Sequence, residues 1–376
     1  MSHKTIYFDN AATSWPKPES VYQAMDHYMR EVGANPGRSG HSRSVEAARV
    51  IFETREELAE LFGVDSSERV VFSSNATHSL NLALKGLLKA GDEVVTTNME
   101  HNSVIRPLRF LEQKIGVKVK VVAVSELKQA ITDATKLVVM LHASNVTGEV
   151  FPIKEIGAFC RQKGVLFLVD AAQTAGIVPI NLEQDNIDLL AFTGHKGLLG
   201  PQGIGGLCLG KNVELEPLVQ GGTGSSSDSE FQPEVLPDKL EAGTLNGPGC
   251  SGLLAGVKFI KQKGLEKIHQ HELKLTQKLI TGLKPIKSVK IYGETLPDRV
   301  GVVSFNIDGI LPSEIGQRLD KDHGIMVRVG LHCSPLAHKA IGTFPQGTVR
   351  IGFSCFNVEE EVHLLITALS SLAPRP

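Results

Sequence analysis

From residue 70 to residue 209 the chain alternates short apolar runs with longer segments of helical periodicity. The runs are rich in valine, leucine and isoleucine, and they occupy residues 70–72, 93–96, 117–122, 137–141, 165–169, 189–192 and 206–209. Continuous apolar runs that are separated by helices are typical of a mainly parallel sheet with helices on both faces. We therefore predict a large α/β domain around a sheet of seven strands.

The residues before this region predict one strand and two helices. A strand at residues 5–9 is followed by Trp15-Pro-Lys-Pro18, where proline favours the first turn of a helix. The second helix is predicted at residues 44–61. Apolar side chains recur there at close to helical spacing, namely Val45, Ala48, Ile51, Phe52, Leu58 and Leu61.

Beyond residue 250 the pattern is that of a smaller α+β domain. Helices are predicted at residues 250–283 with a break near Gly264, and further helices begin near Pro312 and Val358. Short strands are predicted between and after them at residues 289–292, 302–306, 325–328 and 348–351. We expect an N-terminal segment that packs with the small domain, a large domain and a small C-terminal domain, at residues 1–14, 15–250 and 251–376.

Length, composition and charge limit the classes of function. The chain has 376 residues, 41% of them hydrophobic and 21% charged, with a net charge of -2 and a pI near 6.7. A nearly neutral protein without long runs of one charge does not attract nucleic acid or an anionic membrane. The N-terminus lacks an apolar signal region, and no stretch approaches the ~20 apolar residues of a membrane span. We expect a cytoplasmic protein that acts on a small molecule.

Five cysteines are widely spaced along the chain, without a Cys-x-x-Cys pair. An odd number at such spacing argues against a disulfide framework and a structural zinc site, and it suits a reducing compartment. No metal is therefore expected. Four of the five lie in or beside predicted helices and strands and are interpreted as small packing residues, namely Cys160, Cys208, Cys250 and Cys355.

Polar residues cluster at the carboxyl ends of the predicted strands. They include Thr77, Glu100, His101, Asn102, His142, Asn145, Asp170, Gln173, Thr193 and Lys196. Parallel sheets bind their ligands at this edge. One such residue would be unremarkable by chance, but a series of strand ends that all carry polar groups predicts a site.

Two of these residues indicate a particular cofactor. Asp170 ends the apolar run at 165–169, and Lys196 lies in a glycine-flanked turn after the next run. Pyridoxal 5'-phosphate (PLP) needs such a pair, because lysine holds its aldehyde as a Schiff base and a carboxylate on the pyridine nitrogen keeps the ring an electron sink. The pair predicts a PLP enzyme.

Seven stretches, taken in order, resemble the motifs of one enzyme family. They are Tyr7-Phe-Asp-Asn-Ala-Ala12, Glu100-His101-Asn102, Ser144-Asn-Val-Thr-Gly148, Val169-Asp-Ala-Ala-Gln173, Thr193-Gly-His-Lys-Gly197, Glu241-Ala-Gly-Thr244 and Arg328-Val-Gly-Leu-His-Cys333. Over nearly its whole length the chain resembles the cysteine desulfurases and selenocysteine lyases of the class V aminotransferase fold. The short segment before Cys333 resembles the second type of desulfurase. The resemblance implies the PLP-dependent transferase fold of type I.

The resemblance implies a role for each matched residue at the cofactor. Lys196 carries PLP and then moves the Cα proton of the substrate. Asp170 faces the ring nitrogen, Gln173 donates to the ring oxygen, and His101 stacks on the ring. The phosphate is held by backbone and side-chain donors of Ala76, Thr77, Thr193 and His195.

The resemblance also implies a homodimer with two shared active sites, because in the family Gly243 and Thr244 reach the phosphate of the other subunit. On the substrate side, Arg350 and Asn145 hold the carboxylate, since a guanidinium fork fits a carboxylate with two hydrogen bonds. Arg328 either steers the substrate or positions the loop. Asn10 and Ala12, from the first matched stretch, are expected to line the substrate site.

Cys333 is the implied nucleophile. It attacks the sulfur of L-cysteine, which leaves a persulfide on the enzyme and L-alanine as product, and an acceptor protein then takes the sulfur. His332 and the glycine-containing loop are expected to favour the thiolate. Alternatives stay open at this point: selenocysteine as the substrate, or a β-lyase or aminotransferase in which Cys333 is structural. The destination of the sulfur, such as iron-sulfur cluster assembly, is also open.

Several polar residues and one loop remain without an assigned role. Arg38 and His41 lie in a turn-rich loop before the second helix, and His338 either lines or caps the segment after Cys333. The glycine- and serine-rich segment at residues 220–237 is predicted to be mobile.

Overall fold

The chain begins, as predicted, with a short strand and two helices. They are β1 (Ile6–Tyr7), α1 (Glu19–His27) and α2 (Ser42–Phe62), in a computed structural model that describes residues 5–37, 39–293 and 298–372. Contrary to the apolar spacing, Val45 and Phe52 on α2 are 56% and 58% exposed. The buried positions recur at intervals of three and four residues along one face, and residues 45 and 52 lie to its side. That face carries Ala47, Ile51, Thr54, Leu58 and Phe62.

The central sheet has seven strands. They are β2 (Val70–Ser73), β3 (Glu93–Thr97), β4 (Lys118–Val122), β5 (Thr135–Leu141), β6 (Leu166–Asp170), β7 (Leu189–Thr193) and β8 (Gly205–Leu209). Their order across the sheet is β2-β8-β7-β6-β5-β3-β4. β8 is antiparallel to β2 and β7, and the other four pairings are parallel. The predicted mainly parallel sheet is confirmed.

Helices cover both faces of this sheet. Between its strands lie α3 (Ala76–Leu87), α4 (Asn102–Ile115), α5 (Leu127–Ala130) and α6 (Ile153–Lys163). Side chains alternate along each strand, so that Val138 and Met140 of β5 enter one hydrophobic core while Leu137 and Val139 enter the other. Because both faces are buried, the strands appear in the sequence as continuous apolar runs.

The C-terminal part forms a smaller α+β unit. α7 (Gly247–Lys263) and α8 (Leu265–Leu283) meet at the predicted break, and α7 packs against α1 and α2. After them come β9 (Val289–Tyr292), β10 (Val302–Ile307), α9 (Pro312–His323), β11 (Ile325–Met326), β12 (Arg328–Gly330), α10 (Pro335–Ala340), β13 (Thr348–Gly352) and α11 (Glu359–Leu372). A four-stranded antiparallel sheet has the order β12-β13-β10-β9. No helix in the described ranges is long and apolar enough to cross a membrane.

The single strand predicted at residues 325–328 is in fact two strands that belong to different sheets. β11 pairs in parallel with β1, whereas β12 pairs with β13. Ile6 and Phe8 are consequently buried in the hydrophobic core of the C-terminal unit. The division of the chain at residues 14 and 250 stays a prediction.

Candidate active site

A cavity of about 250 Å³ opens at the carboxyl ends of β5, β6 and β7. Parallel strands end at the same edge of the sheet, so residues that are far apart in sequence meet there. The lining brings together most of the predicted cofactor residues, namely Ala76, Thr77, His101, Asn145, Asp170, Gln173, Thr193, His195 and Lys196.

Lys196 lies in the turn after β7, and the N-terminal segment forms hydrogen bonds with the backbone of that turn. The Ser14 hydroxyl donates to the Lys196 carbonyl at 2.9 Å, and the Lys17 ammonium donates to the His195 carbonyl at 2.8 Å. Burial lowers the pKa of Lys196 to about 8, and the charges of Arg350 and Arg328 act in the same direction. A fraction of the amine is therefore neutral near pH 7 and able to attack an aldehyde.

Asp170 ends β6 and is buried at the floor of the cavity. Its Oδ1 accepts a hydrogen bond from the Ala172 amide at 2.9 Å. Burial raises its pKa, while that hydrogen bond and the charge of Lys196 lower it. The neighbouring Glu100 is also buried, and burial raises its pKa to about 8, so it is largely protonated at pH 7. Of these two buried acids, Asp170 is the one that lines the cavity and whose pKa the charge of Lys196 lowers.

The end of the cavity near α3 is suited to an anion. Ala76 and Thr77 form the first turn of α3, where backbone N–H groups and the helix dipole favour negative charge. Asn75 caps this helix by accepting from the His78 amide at 3.0 Å. Thr193 Oγ1 and His195 Nδ1 are buried without a hydrogen-bond partner among the described residues. These orphaned atoms indicate that the site is built for a polar ligand.

His101 caps the start of α4, and its imidazole is neutral. The Ser103 amide donates to His101 Nδ1 at 3.0 Å, and the Ser103 hydroxyl lies 2.8 Å from the same nitrogen. Burial lowers the pKa of His101 to about 3, and the charge of Lys196 contributes. The opposite side of the cavity is formed by Gln173, whose amide donates to the Ala11 carbonyl at 3.0 Å.

Cys333 is exposed on the loop between β12 and α10, and this loop is linked to the cavity through Asn145. Asn145 forms hydrogen bonds with the residues on both sides of the cysteine. Its Nδ2 donates to the His332 carbonyl at 2.7 Å, and its Oδ1 accepts from the Ser334 hydroxyl at 2.8 Å. The Asn102 amide donates to the Cys333 carbonyl at 2.8 Å, which ties the loop to the start of α4.

His332, the neighbour of Cys333, supplies no positive charge to a thiolate. The ring is buried, and burial lowers its pKa to about 2, so it carries no charge at pH 7. Its Nε2 lies 3.0 Å from Thr348 Oγ1. His338 is buried as well, with its ring 5.4 Å from that of His332, and it does not line the cavity.

The other four cysteines are buried, as expected for packing residues. Burial raises the pKa of Cys160, Cys208 and Cys250 well above that of an ordinary thiol. A buried thiol of this kind is a poor nucleophile. No group of three or more His, Cys, Asp or Glu side chains in the described ranges is arranged to hold a metal ion.

Two arginines face each other across neighbouring strands beside the cavity. Arg328 on β12 pairs in register with Arg350 on β13. Arg350 is buried, donates to the Asn145 carbonyl at 3.1 Å and lies 3.2 Å from the Asp9 carboxylate, while its Nε has no partner among the described residues. Both charges lower the pKa of His101 and Lys196. Like charges placed directly opposite are unfavourable unless an anion lies between them.

Several predicted residues do not line the cavity, and Cys333, Arg328 and Arg350 are among them. Gly243 and Thr244 are exposed and do not line it. The amide of Asn10 is buried and donates to the Gly352 carbonyl and to Asn357, so its polar atoms are used within the fold. Ala12 is half-buried and does not line the cavity either.

Of the two unassigned residues near α2, His41 caps that helix by accepting from the Ser44 amide at 3.2 Å, and Arg38 lies outside the described residues. The sequence interpretation also missed Ser103, Ser334 and Asp9, which contact His101, Asn145 and Arg350. Each of the three lies within two residues of a matched motif or inside one, which was the available signal.

Comparison with known proteins places this site in context. The family model for aminotransferase class-V matches residues 6–365. A probable cysteine desulfurase from Methanothermobacter thermautotrophicus is 37% identical, over 98% of this chain and 94% of the relative. The cysteine desulfurase of Haloferax volcanii is 33% identical, over 97% and 89%.

Solved structures agree with these relatives. The apo structure of cysteine desulfurase from Thermococcus onnurineus NA1 has a TM-score of 0.92 and 37% identity, and the match covers 98% of this chain and 94% of the other. A cysteine desulfurase from Escherichia coli, described as an S-sulfonic acid, has a TM-score of 0.88 and 26% identity over the same shares.

Proposed function

This chain belongs to the aminotransferase class-V family, among its cysteine desulfurases, and we propose that it binds PLP at Lys196 and converts L-cysteine to L-alanine through a persulfide on Cys333. The family resemblance and the fold predicted from it are confirmed. The observation that supports the residue assignment is the pair of hydrogen bonds through which Asn145, which lines the cavity with Lys196 and Asp170, holds the loop that carries the exposed Cys333.

The residues in the cavity fit PLP. Lys196 offers an amine with a pKa of about 8, and Asp170 offers a buried carboxylate for the ring nitrogen. The partnerless Thr193 Oγ1 and His195 Nδ1 lie beside the N-terminus of α3, where the phosphate would bind. When bound, PLP supplies an electron sink that stabilises negative charge at the Cα of the substrate.

Arg350 and Arg328 are proposed to hold the substrate carboxylate. Their register-paired positions concentrate positive charge beside the cavity; the Asp9 carboxylate offsets part of this charge at Arg350, and the substrate carboxylate would supply a second negative charge. The unpartnered Nε of Arg350 supplies a further donor. Arg328 is thereby assigned to the substrate rather than to the loop alone.

Lys196 and Cys333 carry the proton and sulfur transfers. The neutral Lys196 amine accepts the Cα proton and later returns one. The Cys333 thiolate attacks the substrate sulfur, so that an S–S bond forms as the C–S bond breaks. The electron pair of that bond stays on carbon, which takes up a proton to become the methyl group of alanine. One cysteine and one enzyme thiol thus give one alanine and one persulfide, without an added oxidant or reductant.

A homodimer with shared sites is part of the proposal. Gly243 and Thr244 are exposed and do not line their own cavity, and they follow Glu241, which forms a buried ion pair with Arg55. The exposed Cys333 supports transfer to an acceptor protein, with L-selenocysteine as an alternative substrate. Five free cysteines support a cytoplasmic location.

The test compares the wild-type enzyme with Cys333→Ser in the presence of cysteine, PLP and a thiol reductant. Alanine and sulfide are measured together with the absorbance of the bound cofactor. The proposal predicts that the serine variant keeps the absorbance change on adding cysteine and loses sulfide release. Equal turnover in the two proteins would make Cys333 structural and would favour a β-lyase or an aminotransferase.

A further inference from the structure

Three side chains form a continuous chain from the phosphate end of the cavity to His101. Thr77 Oγ1 lies 2.7 Å from Ser103 Oγ, which lies 2.8 Å from His101 Nδ1. Thr77 belongs to the first turn of α3 and Ser103 to the first turn of α4, so the contacts also join the two helices. The proposed function uses Thr77 and His101 but gives Ser103 no role.

The direction of these hydrogen bonds follows from the backbone. The Ser103 amide donates to His101 Nδ1 at 3.0 Å, so this nitrogen is an acceptor and carries no hydrogen. The ring is neutral at pH 7, because burial lowers its pKa to about 3. Its one hydrogen therefore sits on Nε2, the nitrogen left free for the contents of the cavity.

Two arrangements of the hydroxyl protons make the 2.7 Å contact between Thr77 and Ser103 a hydrogen bond. Ser103 has a single hydroxyl proton, and it donates that proton either to His101 or to Thr77. In the first arrangement Thr77 donates to Ser103, and His101 Nδ1 receives two hydrogen bonds. In the second, Ser103 donates to Thr77, the Thr77 proton is free to point into the cavity, and Nδ1 keeps only the backbone hydrogen bond.

We propose that Ser103 is a positioning residue that couples occupancy of the phosphate site to the hydrogen bonding of His101. An unprotonated phosphate oxygen beside Thr77 accepts the Thr77 hydroxyl proton, which favours the second arrangement. Without phosphate the first arrangement holds the imidazole with two donors. Binding of a phosphate-bearing cofactor therefore releases one restraint on His101 at the moment when its ring must align with the cofactor ring. This inference rests on the proposed function for the identity of that cofactor.

The experiment uses the full-length chain without PLP, labelled with ¹⁵N in its histidines, and inorganic phosphate as the probe. His101→Gln identifies the His101 signals by their loss. We expect a protonated Nε2 and an unprotonated Nδ1, and we expect phosphate to move the Nδ1 signal toward that of a less hydrogen-bonded nitrogen. In Ser103→Ala without phosphate, the Nδ1 signal should already lie where phosphate moves the wild-type signal. Adding phosphate should then cause no further change.

Thr77 provides a second and independent pair of variants if Ser103→Ala does not fold. Thr77→Ser keeps the hydroxyl and should keep the phosphate response, whereas Thr77→Val should lose it. A protonated Nδ1, or an equal phosphate response with and without the Ser103 hydroxyl, would overturn the inference. Neither readout depends on turnover, so an enzyme that makes no alanine but shows the coupled response would contradict the proposed function alone.

Discussion

The loop that carries Cys333 is held in a conformation that costs free energy. His332 and Cys333 have φ values of +47° and +59°, in the left-handed region that non-glycine residues seldom adopt. At roughly 1–2 kcal/mol per residue, the two together cost about 2–4 kcal/mol. Three hydrogen bonds offset this cost, two through Asn145 and one from the Asn102 amide. At roughly 0.5–1.5 kcal/mol each, they supply about 1.5–4.5 kcal/mol.

Because the two amounts nearly balance, loss of one hydrogen bond should release the loop. Ser334→Ala removes the donor to Asn145 Oδ1 and leaves this buried oxygen unpaired, at a cost of roughly 1–3 kcal/mol. At about 1.4 kcal/mol for each tenfold change, the ratio of docked to undocked loop falls roughly 5- to 150-fold. We expect kcat/KM for alanine formation to fall by up to that factor, while the absorbance of bound PLP stays unchanged.

The matched control is Ser251→Ala on α7. Ser251 is also buried, and its hydroxyl donates to the Ala24 carbonyl at 3.0 Å, outside the cysteine loop. Initial rates of alanine formation are compared for the wild-type enzyme and both variants, together with the rate at which iodoacetamide alkylates Cys333. Equal rates for the two alanine variants would refute the reasoning that Ser334 and Asn145 hold the nucleophile in place.

Two further predictions concern a buried carboxyl and the substrate arginine. Burial raises the pKa of Glu272 from 4.5 to about 8, so the folded chain keeps a proton that the unfolded chain releases, and wild-type stability falls as pH rises through this window. The melting temperature of Glu272→Gln, measured by thermal unfolding, should therefore rise relative to that of the wild type between pH 5 and pH 8. A difference in melting temperature that is constant with pH would exclude the Glu272 carboxyl as its source. Arg350→Lys keeps the positive charge and loses the two parallel donors of the guanidinium group. The loss of about 1.5–3 kcal/mol of charge-assisted hydrogen bonding should lower kcat/KM for cysteine roughly 10- to 150-fold. An unchanged value in steady-state kinetics would restrict Arg350 to its contacts with Asp9 and Asn145.

The sheet and the cofactor cavity were predictable because their signals are local in sequence. Strands buried on both faces are continuous apolar runs, and the parallel topology brings their carboxyl ends to one edge. Asp170 and Lys196 follow two such runs directly, so their meeting in the cavity follows from the fold. The split of the strand at residues 325–328 was not predictable, because it depends on pairing with β1 more than 300 residues earlier in the chain.

The protonation states at the site depend on burial, which the sequence does not display. His332 looks like a cation beside Cys333 in sequence, yet burial leaves its ring neutral. Ser103 looks like an ordinary helix-start residue until α3 brings Thr77 within 2.7 Å of its hydroxyl. The roles proposed for Gly243 and Thr244 involve a second subunit, so they stay predictions.

The most direct test of the desulfurase assignment follows the sulfur atom itself. The PLP-loaded enzyme is mixed with L-cysteine that carries a heavy sulfur isotope, without a thiol reductant, and its peptides are analysed by mass spectrometry while alanine is quantified. The account predicts one labelled sulfur on Cys333, none on the four buried cysteines, and alanine equal in amount to the persulfide in the first turnover. Alanine formed with Cys333 unmodified, or the label on another cysteine, would contradict it.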